Sequence, residues 1–572
     1  MKNLTLRERK IVVGIDFGTT FSGVAYGNTH DGHLNIVQQW PGMSSPLDRS
    51  SEKVPTQILY DSEALGGFKW GYQIRDDVPR HQWFKLDLES TYKPSTALSN
   101  RYPHPNNLPP NIHHNTQQLT ADYLGAIKKH LTYILQMQLG ELQAKETPLQ
   151  FILTVPAVWS EVAKEKTLAA AETAGLGDDA PILMVSEPEA AATYALQRQD
   201  LNYLKPGDTF VVCDAGGVTV DLISYTVIKL EPVLEVKEAA PGTGALCGST
   251  FLNRRFQEYL VSRLGQQDGW DEDTLSEAME HFDQMVKLQY TSTNKDQSWK
   301  VPVTGLATDE SLSVKKGKLI LKSSDVKEIL EPVIAEVVKL VLDQIQTTSG
   351  GVKVVLLVGG FGTSMYLRER IREAINNNIE VLQPPYGWSA VVRGAVMKGL
   401  AQSDPKHARL RLTSRIARKH IGTTSSMLFD ANVHSESRKY FDEFDGLWKT
   451  QGMEWFIKKG DTINEEKPYI FHFCRKTLVS EGQHEGFTDI IYHDCTERSP
   501  PVYQDARVKR LVELEVNPGD LPPDAFELEQ GKDGRLYYVL EFSIEVTYQS
   551  ASTKYELMHQ GKQYDSVTAE YV

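Results

Sequence analysis

The sequence predicts an α/β protein made of two related lobes, followed by a smaller β-rich region. Three observations carry that expectation. From Ile11 to Tyr26 an apolar run delivers Asp16 to a Gly18-Thr19-Thr20 turn, and a second apolar run leaves it. From Phe210 to Tyr225 the same pattern returns, with Asp214, then Gly216-Gly217-Val218-Thr219, then Asp221 inside the outgoing run. Between the two hairpins, apolar strand-like runs alternate with helical periodicity, the mark of α/β units.

The bulk numbers agree with a multidomain globular chain. At 572 residues it exceeds what one core supports. The net charge of −14 and the pI near 5.6 argue against a general nucleic-acid binder, which needs a basic face. No apolar run approaches the roughly 18 residues of a membrane span. The basic N-terminal residues Met1 to Lys10 lead into a strand rather than an apolar signal core. Cys213, Cys247, Cys474 and Cys495 are scattered without metal-ligand spacing and read as free thiols of a reducing, cytoplasmic setting.

After the first hairpin, Leu34–Trp40 reads as a strand, Val54–Tyr60 as an edge strand with Pro55 near its start, and Gly66–Gly71 as its continuation. A Pro/Asn/His loop from Tyr102 to Pro110 follows; its His104, with His113 and His114, lacks a framing carboxylate or thiol. Thr120 is expected to cap a helix carrying Leu124, Ile127, Leu131 and Ile134 on one face, with Gly140 near its stop. Phe151–Pro156 is a buried strand, Glu161–Ala174 a helix, and Ile182–Ser186 a strand running into Glu187-Pro188-Glu189 and a small-residue helix. Beyond the second hairpin, Pro241–Thr250 reads as a glycine-rich loop opening a helix through Phe251, Phe256 and Leu260. Thr274–Tyr290 is helical, Lys318–Leu321 a strand, and Ser324 starts a long helix through Ile345 around Pro332. Val354–Val358 is apolar throughout and ends in Gly359-Gly360, as a central parallel strand should. Helices Met365–Asn376 and Trp388–Leu400 follow.

Near Ser403 the composition shifts. A basic segment with Arg409, Arg411, Arg415, Arg418 and Lys419 precedes alternating strands at Glu454–Asp461, Tyr469–Phe473, Leu511–Val516 and Leu536–Tyr548, with turns at Asn517-Pro518-Gly519 and Gly531–Gly534. A small β-sandwich without a helical lid is expected there.

The repeated hairpin carries the chemistry. Asp16 and Asp214 occupy equivalent ends, and one acid at a strand end can simply start a turn. Two at matched positions point instead to a shared anion, with Mg²⁺ between acid and phosphate, held mostly through its waters. Gly18, Thr19, Thr20, Gly216, Gly217 and Thr219 supply close backbone approach and hydroxyls for phosphate oxygens. Asp221 sits inside a strand, where an acid is unfavourable unless it faces a cleft. Glu187 can position water or a cation, or merely favour a helix N-terminus. Lys85, flanked by Phe84 and Leu86, is either a site base or a surface lysine laying its stem on apolar neighbours.

Five motifs fall in the order found in DnaK-type heat-shock chaperones: Asp16–Thr20, Leu153–Ala157, Glu187–Ala192, Asp214–Asp221 and Leu357–Gly360. From about Ile11 to about Leu400 the chain resembles the ATPase domain of that actin-fold, ribonuclease H-like superfamily. It most resembles the divergent heat-shock-seventy branch related to the twelve-A and twelve-B proteins. The resemblance implies ATP between two lobes, Mg²⁺ held by Asp16 and Asp214, and water attacking the γ-phosphate. It places Asp16, Lys85, Glu187, Asp214 and Asp221 in catalytic positions, with Lys85 and Glu187 orienting the water and the metal shell. Gly18, Thr19, Thr20, Phe21, Gly216, Gly217, Val218, Thr219, Gly248, Lys287, Gly359, Gly360 and Phe361 form the expected nucleotide-binding set. Pro156 matches a proline of the family proposed to relay nucleotide state, and Lys164 stands where the family carries an arginine.

Departures from the pattern shape the expected activity. Val218 replaces a phosphate-loop glycine, putting a side chain where backbone should approach closely. Phe361-Gly362-Thr363 replaces Ser-Thr-Arg, removing the arginine that stacks on adenine, and Trp388 stands where an acid is expected. The acidic-apolar interdomain linker is replaced by basic residues. The expected organisation is a nucleotide-binding domain over 9–402 (lobes about 9–208 and 209–402), a basic linker over 403–418, and a β-rich interaction domain over 419–572. The expected function is slow ATP hydrolysis coupled to that domain, which would hold a protein or peptide client. A nucleotide-binding scaffold without turnover and a sugar-type kinase of the same superfamily are the alternatives.

Overall fold

The computed structural model describes residues 10–43, 50–64, 66–75, 78–89, 100–102, 115–198, 204–293, 295–465, 467–481, 487–494, 499–516, 521–564 and 567–571. The chain divides into two compact units, Met1–Arg411 and Leu412–Val572. The loop histidines His104, His113 and His114, the Asn517–Gly519 turn and Cys495 lie outside the described residues.

Besides a three-stranded sheet (Gln57–Tyr60, Phe68–Trp70, His81–Gln82) and a two-stranded one (Ser298–Pro302, Lys318–Lys322), the first unit is built on two large sheets. In one, β1 (Ile11–Asp16) lies between β2 (Phe21–Asn28), antiparallel, and β4 (Leu149–Val155), parallel; β3 (Leu34–Ile36) extends the β2 side and β5 (Leu183–Ser186) the β4 side. In the other, β6 (Thr209–Ala215) lies between β7 (Thr219–Lys229), antiparallel, and β9 (Val352–Val358), parallel; β8 (Leu234–Leu246) pairs with β7 and β10 (Glu380–Leu382) with β9. The two sheets thus share the order and sense of their five principal strands. Continuous apolar sequence explains the centre of each: β1, β4, β6 and the inner part of β9 are buried on both faces, as helix-covered parallel strands must be.

Each large sheet has its own core. Phe17, Tyr123, Leu124, Ile127 and Phe151 pack in the first, Phe251, Phe256, Phe282, Val337 and Tyr366 in the second. Several boundaries move from their sequence expectations. The long helix α1 spans Thr116–Leu139 and is capped by Asn115, whose Oδ1 accepts from Gln117 N, so Thr120 lies inside it. The third strand stops at Ile36. Pro241–Leu246 is not a glycine loop: β8 runs to Leu246, and only Cys247 to Ser249 turns into helix α4 (Thr250–Leu264). Pairing with β7 overrides the turn preference of Pro241, Gly242 and Gly244 in that segment.

Helix α3 (Glu187–Arg198) leaves β5 and crosses α7 (Ala390–Ser403) at close range. The closeness depends on Gly394, where an added Cβ would sit 1.7 Å from the Ala190 carbonyl oxygen. Small residues on both sides, Ala190 and Ala191 against Gly394 and Ala395, let the backbones meet.

The second unit is a β-sandwich. One sheet runs β12 (Lys439–Asp442), β13 (Leu447–Ile457), β11 (His420–Leu428), β15 (Phe487–Asp494), β16 (Lys509–Val516), β21 (Val567–Tyr571). The other runs β14 (Tyr469–Leu478), β18 (Leu536–Tyr548), β19 (Thr553–His559), β20 (Lys562–Tyr564), with β17 (Phe526–Gln530) also on β18. Ile421, Ile457, Ile491 and Val512 of the first sheet share a core with Phe471, Leu540, Ile544 and Leu557 of the second. Phe456 and Phe471 stack across it with centroids 4.1 Å apart. Sequence patterning misses β11 and β15, and the segment expected as a basic linker contains the strand Leu410–Ile416. Among the described residues the second unit has no α-helix, and no helix is long and apolar enough to cross a membrane.

Two outcomes follow from this packing. Helix propensity alone favours Ala over Gly by about 1 kcal/mol, but the Ala190 backbone cannot move aside. Gly394→Ala should therefore lower stability, by about 1–3 kcal/mol in denaturant unfolding. In the sandwich, burial and the nearby Lys419 and Lys509 push the His493 imidazole down to about 4. An unfolded chain protonates this group near its ordinary value of about 6.5. Acidification through that window thus favours the unfolded state. Lowering the pH from about 7 to 5 should cut the unfolding midpoint of His493→Gln less than that of the unaltered chain.

Candidate functional site

The parallel registers bring the chemistry to one edge of each sheet. Ile15 pairs with Leu153 and Val155 with Ser186, so β1, β4 and β5 deliver Asp16, Thr154 and Glu187 side by side. Asp214 lies next to Val358 on β9 and opposite Asp221 on β7. Ligands of open α/β sheets bind beyond such carboxyl ends.

Lys85 is no surface lysine. It sits in a tight helical turn, Phe84–Leu88, 2% exposed, and its Nζ lies 2.6 Å from Glu187 Oε1. Its ammonium also faces the rings of Phe17 at 5.7 Å and Trp159 at 5.2 Å. The turn is pinned from both sides: Trp83, with φ of 64°, packs in the second core and Phe84 in the first. Glu187 is the first residue of α3, so the helix-terminal and site roles weighed from sequence coincide in one carboxylate.

A second lysine joins the group. Lys53 Nζ lies 2.6 Å from Asp16 Oδ2, and both side chains are buried. Thr154 Oγ1 approaches the other oxygen at 3.5 Å. Nothing local in the sequence singles out Lys53, because Glu52-Lys53 before the short strand Val54–Pro55 resembles a solvated turn. The neighbouring Glu52–Arg393 pair, at 2.8 Å, was hidden in the same way.

Four carboxylates thus face two ammonium groups. Removal from water first, and then the fields of Glu187 and Asp16, push Asp214 up to about 8. Burial and Glu187 push Asp221 up to about 7, and its buried Oδ1 has no hydrogen-bond partner among the described residues. Burial also raises Glu187, against the pull of Lys85. With all four acids ionised the site would carry an excess of negative charge, which a bound cation would relieve. Oxygen donors of this kind suit Mg²⁺, and among the described residues no three acids, histidines or thiols converge on one ion. An ion there would keep most of its waters.

The two hairpin tips lie against each other. A Cβ on Gly217 would sit 2.0 Å from Thr20 Oγ1, and one on Gly248 would sit 2.5 Å from the Gly217 carbonyl. Gly359, with φ of 83°, approaches Asp214 so closely that a Cβ would lie 2.4 Å from its Oδ1. Gly216 N donates to Thr219 O and Thr56 N to Thr20 O, closing the two turns. Among the described residues no backbone carbonyl takes the N–H of Thr19, Thr20 or Gly217. Gly18, Thr19, Thr20, Gly216, Gly217, Thr219, Gly248, Gly359 and Gly360 therefore gather around the acids.

Other expected contacts are placed differently. Val218 is 1% exposed and points into the second core, so it does not obstruct the turn. Phe361 is buried in the same core, leaving only its backbone near the site. Lys287 is tied to Asp283, in the helical turn Phe282–Val286, and to Asn253 on α4. Trp388 meets Gly360 and packs edge-on against Phe21, with centroids 5.9 Å apart.

Removing one partner of a buried pair strands the other charge, at a cost of about 3 kcal/mol or more. Lys85→Met alone should lose stability on that scale. Lys85→Met/Glu187→Gln should recover much of the loss, giving a clear coupling in a double-mutant cycle of unfolding free energies.

Comparison with known proteins bears on this geometry. The family model described as Hsp70 protein matches residues 111–406, more than half the chain, and a model described as a domain of unknown function matches 415–572. The chain is 24% identical to heat shock 70 kDa protein 12A of Homo sapiens over 501 residues, covering 70% of this chain and 71% of that protein. The Mus musculus protein 12A aligns at 24% over 500 residues with the same coverage. Heat shock 70 kDa protein 12B of Homo sapiens aligns at 24% over 500 residues, covering 70% of each. With the paired strand edges and their buried acids, these matches establish that the chain belongs to the Hsp70 protein family, whose nucleotide-binding domain has the actin-like fold.

Proposed function

We propose that the chain binds ATP between two duplicated lobes, about 9–208 and 209–402, and hydrolyses it slowly to ADP and phosphate. The observation that carries this reading is the buried Lys85–Glu187 pair beside Asp16, Asp214 and Asp221, set against two Gly/Thr turns. Thr19, Thr20, Gly217 and Thr219 would take phosphate oxygens through N–H and hydroxyl donors. Lys85 and Glu187 would hold the attacking water in line with the γ-phosphate, Glu187 accepting its hydrogen bond. Phosphoryl transfer depends mainly on such positioning and on charge stabilisation. Mg²⁺, held through water by Asp214 and Asp16, would supply neutralisation of the β- and γ-phosphate oxygens.

Slow turnover rather than a rapid cycle is supported by Phe361-Gly362-Thr363 and Trp388, which change the nucleoside side of the site. The nucleotide state would be coupled to the sandwich over 419–572 and to a protein or peptide client there. What supports a binding role for the sandwich is its exposed apolar group on β11, β12 and β13: Leu428, Phe441, Leu447 and Trp448. The unpaired thiols of Cys213, Cys247 and Cys474 fit a reducing compartment such as the cytoplasm.

Phosphate release under single-turnover conditions is the test. Asp214→Asn should slow it by about tenfold or more. Equal rates for variant and parent, with nucleotide still bound, would leave a nucleotide-binding scaffold. ADP formation that rises on adding sugars would indicate a kinase instead.

A further inference from the structure

We infer that Lys53 is a resident cation of the nucleotide site, taking over at Asp16 a share of the charge neutralisation that a divalent metal would otherwise provide. The inference rests on the ATP-binding reading above and extends it to how the triphosphate is held.

The placement of Lys53 is built rather than incidental. Gly23 is the cross-strand neighbour of Asp16, and the Lys53 stem passes over it: a Cβ on Gly23 would lie 3.3 Å from Lys53 Cγ. The ammonium then reaches Asp16 Oδ2 at 2.6 Å. The backbone is fixed on both sides of the residue. Its carbonyl accepts from Ser51 Oγ at 2.7 Å and from Tyr72 Oη at 3.1 Å, and the next residue, Val54, pairs with Ser22. Glu52 is anchored by Arg393 at 2.8 Å. Ordering a lysine this far in costs side-chain entropy and desolvation, which an exposed pair would not repay.

The consequence is electrostatic. With Asp16 already paired through one oxygen, the larger share of the demand for a metal falls on Asp214. A triphosphate entering beside the Thr19-Thr20 turn meets an ammonium at Asp16 whether or not Mg²⁺ accompanies it. Lys53 can keep its bond to Asp16 and still present its remaining N–H donors to a phosphate oxygen. Binding should therefore persist when the metal is removed, and the metal-free component should depend on residue 53.

The test is equilibrium binding of a fluorescent, non-hydrolysable ATP analogue to the full chain, in Mg²⁺ and in EDTA. The parent chain should lose no more than about tenfold in affinity on adding EDTA. Lys53→Met should lose about a hundredfold in EDTA but recover to within about tenfold of the parent in saturating Mg²⁺. Lys53→Arg should keep the metal-free binding. Lys53→Met/Asp16→Asn removes both charges, so it guards against a fold lost through an unpaired buried carboxylate; it should regain metal-free binding relative to Lys53→Met. Abolition of parent binding by EDTA, or an equal loss for Lys53→Met with and without metal, would overturn the inference while leaving ATP binding intact. A parent chain that binds no nucleotide even with Mg²⁺ would overturn both readings.

Discussion

Everything around the candidate site follows from the difficulty of burying negative charge. Asp16 stands close enough to raise the proton affinity of Glu187 and Asp214, and Glu187 that of Asp214 and Asp221, while the ammonium groups of Lys53 and Lys85 oppose them. Such a cluster persists when rigid elements hold the lysines in place and the remaining charge has a ligand to meet. The pinned turn carrying Lys85 and the passage of Lys53 over Gly23 supply the first condition. The excess of acids over ammonium groups supplies the demand for the second. A magnesium nucleotide, the ligand proposed above, would answer that demand because its metal would balance carboxylates while its phosphates took the free donors.

Backbone proximity is the other constraint. Gly217 against Thr20, Gly248 against Gly217 and Gly359 against Asp214 each leave no space for a Cβ. Gly394 does the same work at a distance, seating α7 on α3 and so setting where Glu187 begins. The substitution of Val218 in this company is tolerated because its side chain turns into the second core, leaving its backbone at the turn. A departure that looks disabling in one dimension is thus a packing detail in three.

Family membership and site geometry answer different questions. The Hsp70 match covers 111–406, whereas Asp16, Lys53 and Lys85 lie before it, in the stretch where the structure supplies the argument. The edge-on pair of Phe21 and Trp388 and the Lys53–Asp16 bond are contacts that the structure of this chain supplies. The β-sandwich region matches the model described as a domain of unknown function, and it exposes Phe441 and Trp448.

The order of elements and the pair of acids were legible in the sequence because both are local. Apolar runs at Ile11, Phe151, Phe210 and Val354 can hardly be anything but buried strands, and Asp16 and Asp214 repeat at the same offset from a Gly-Thr turn. Register and sense of pairing were not local, and they decided the rest. Only the parallel alignment of β1, β4 and β5 puts Glu187 beside Asp16, and only the fold shows that Lys85 is buried and that Lys53 reaches the same carboxylates. A lysine's role depends on what lies at the end of its long stem, tens of residues away in the chain. By itself the sequence determined which strands exist and where acids end them; the tertiary structure decided which charges neutralise which, because electrostatic pairing depends on distance in space.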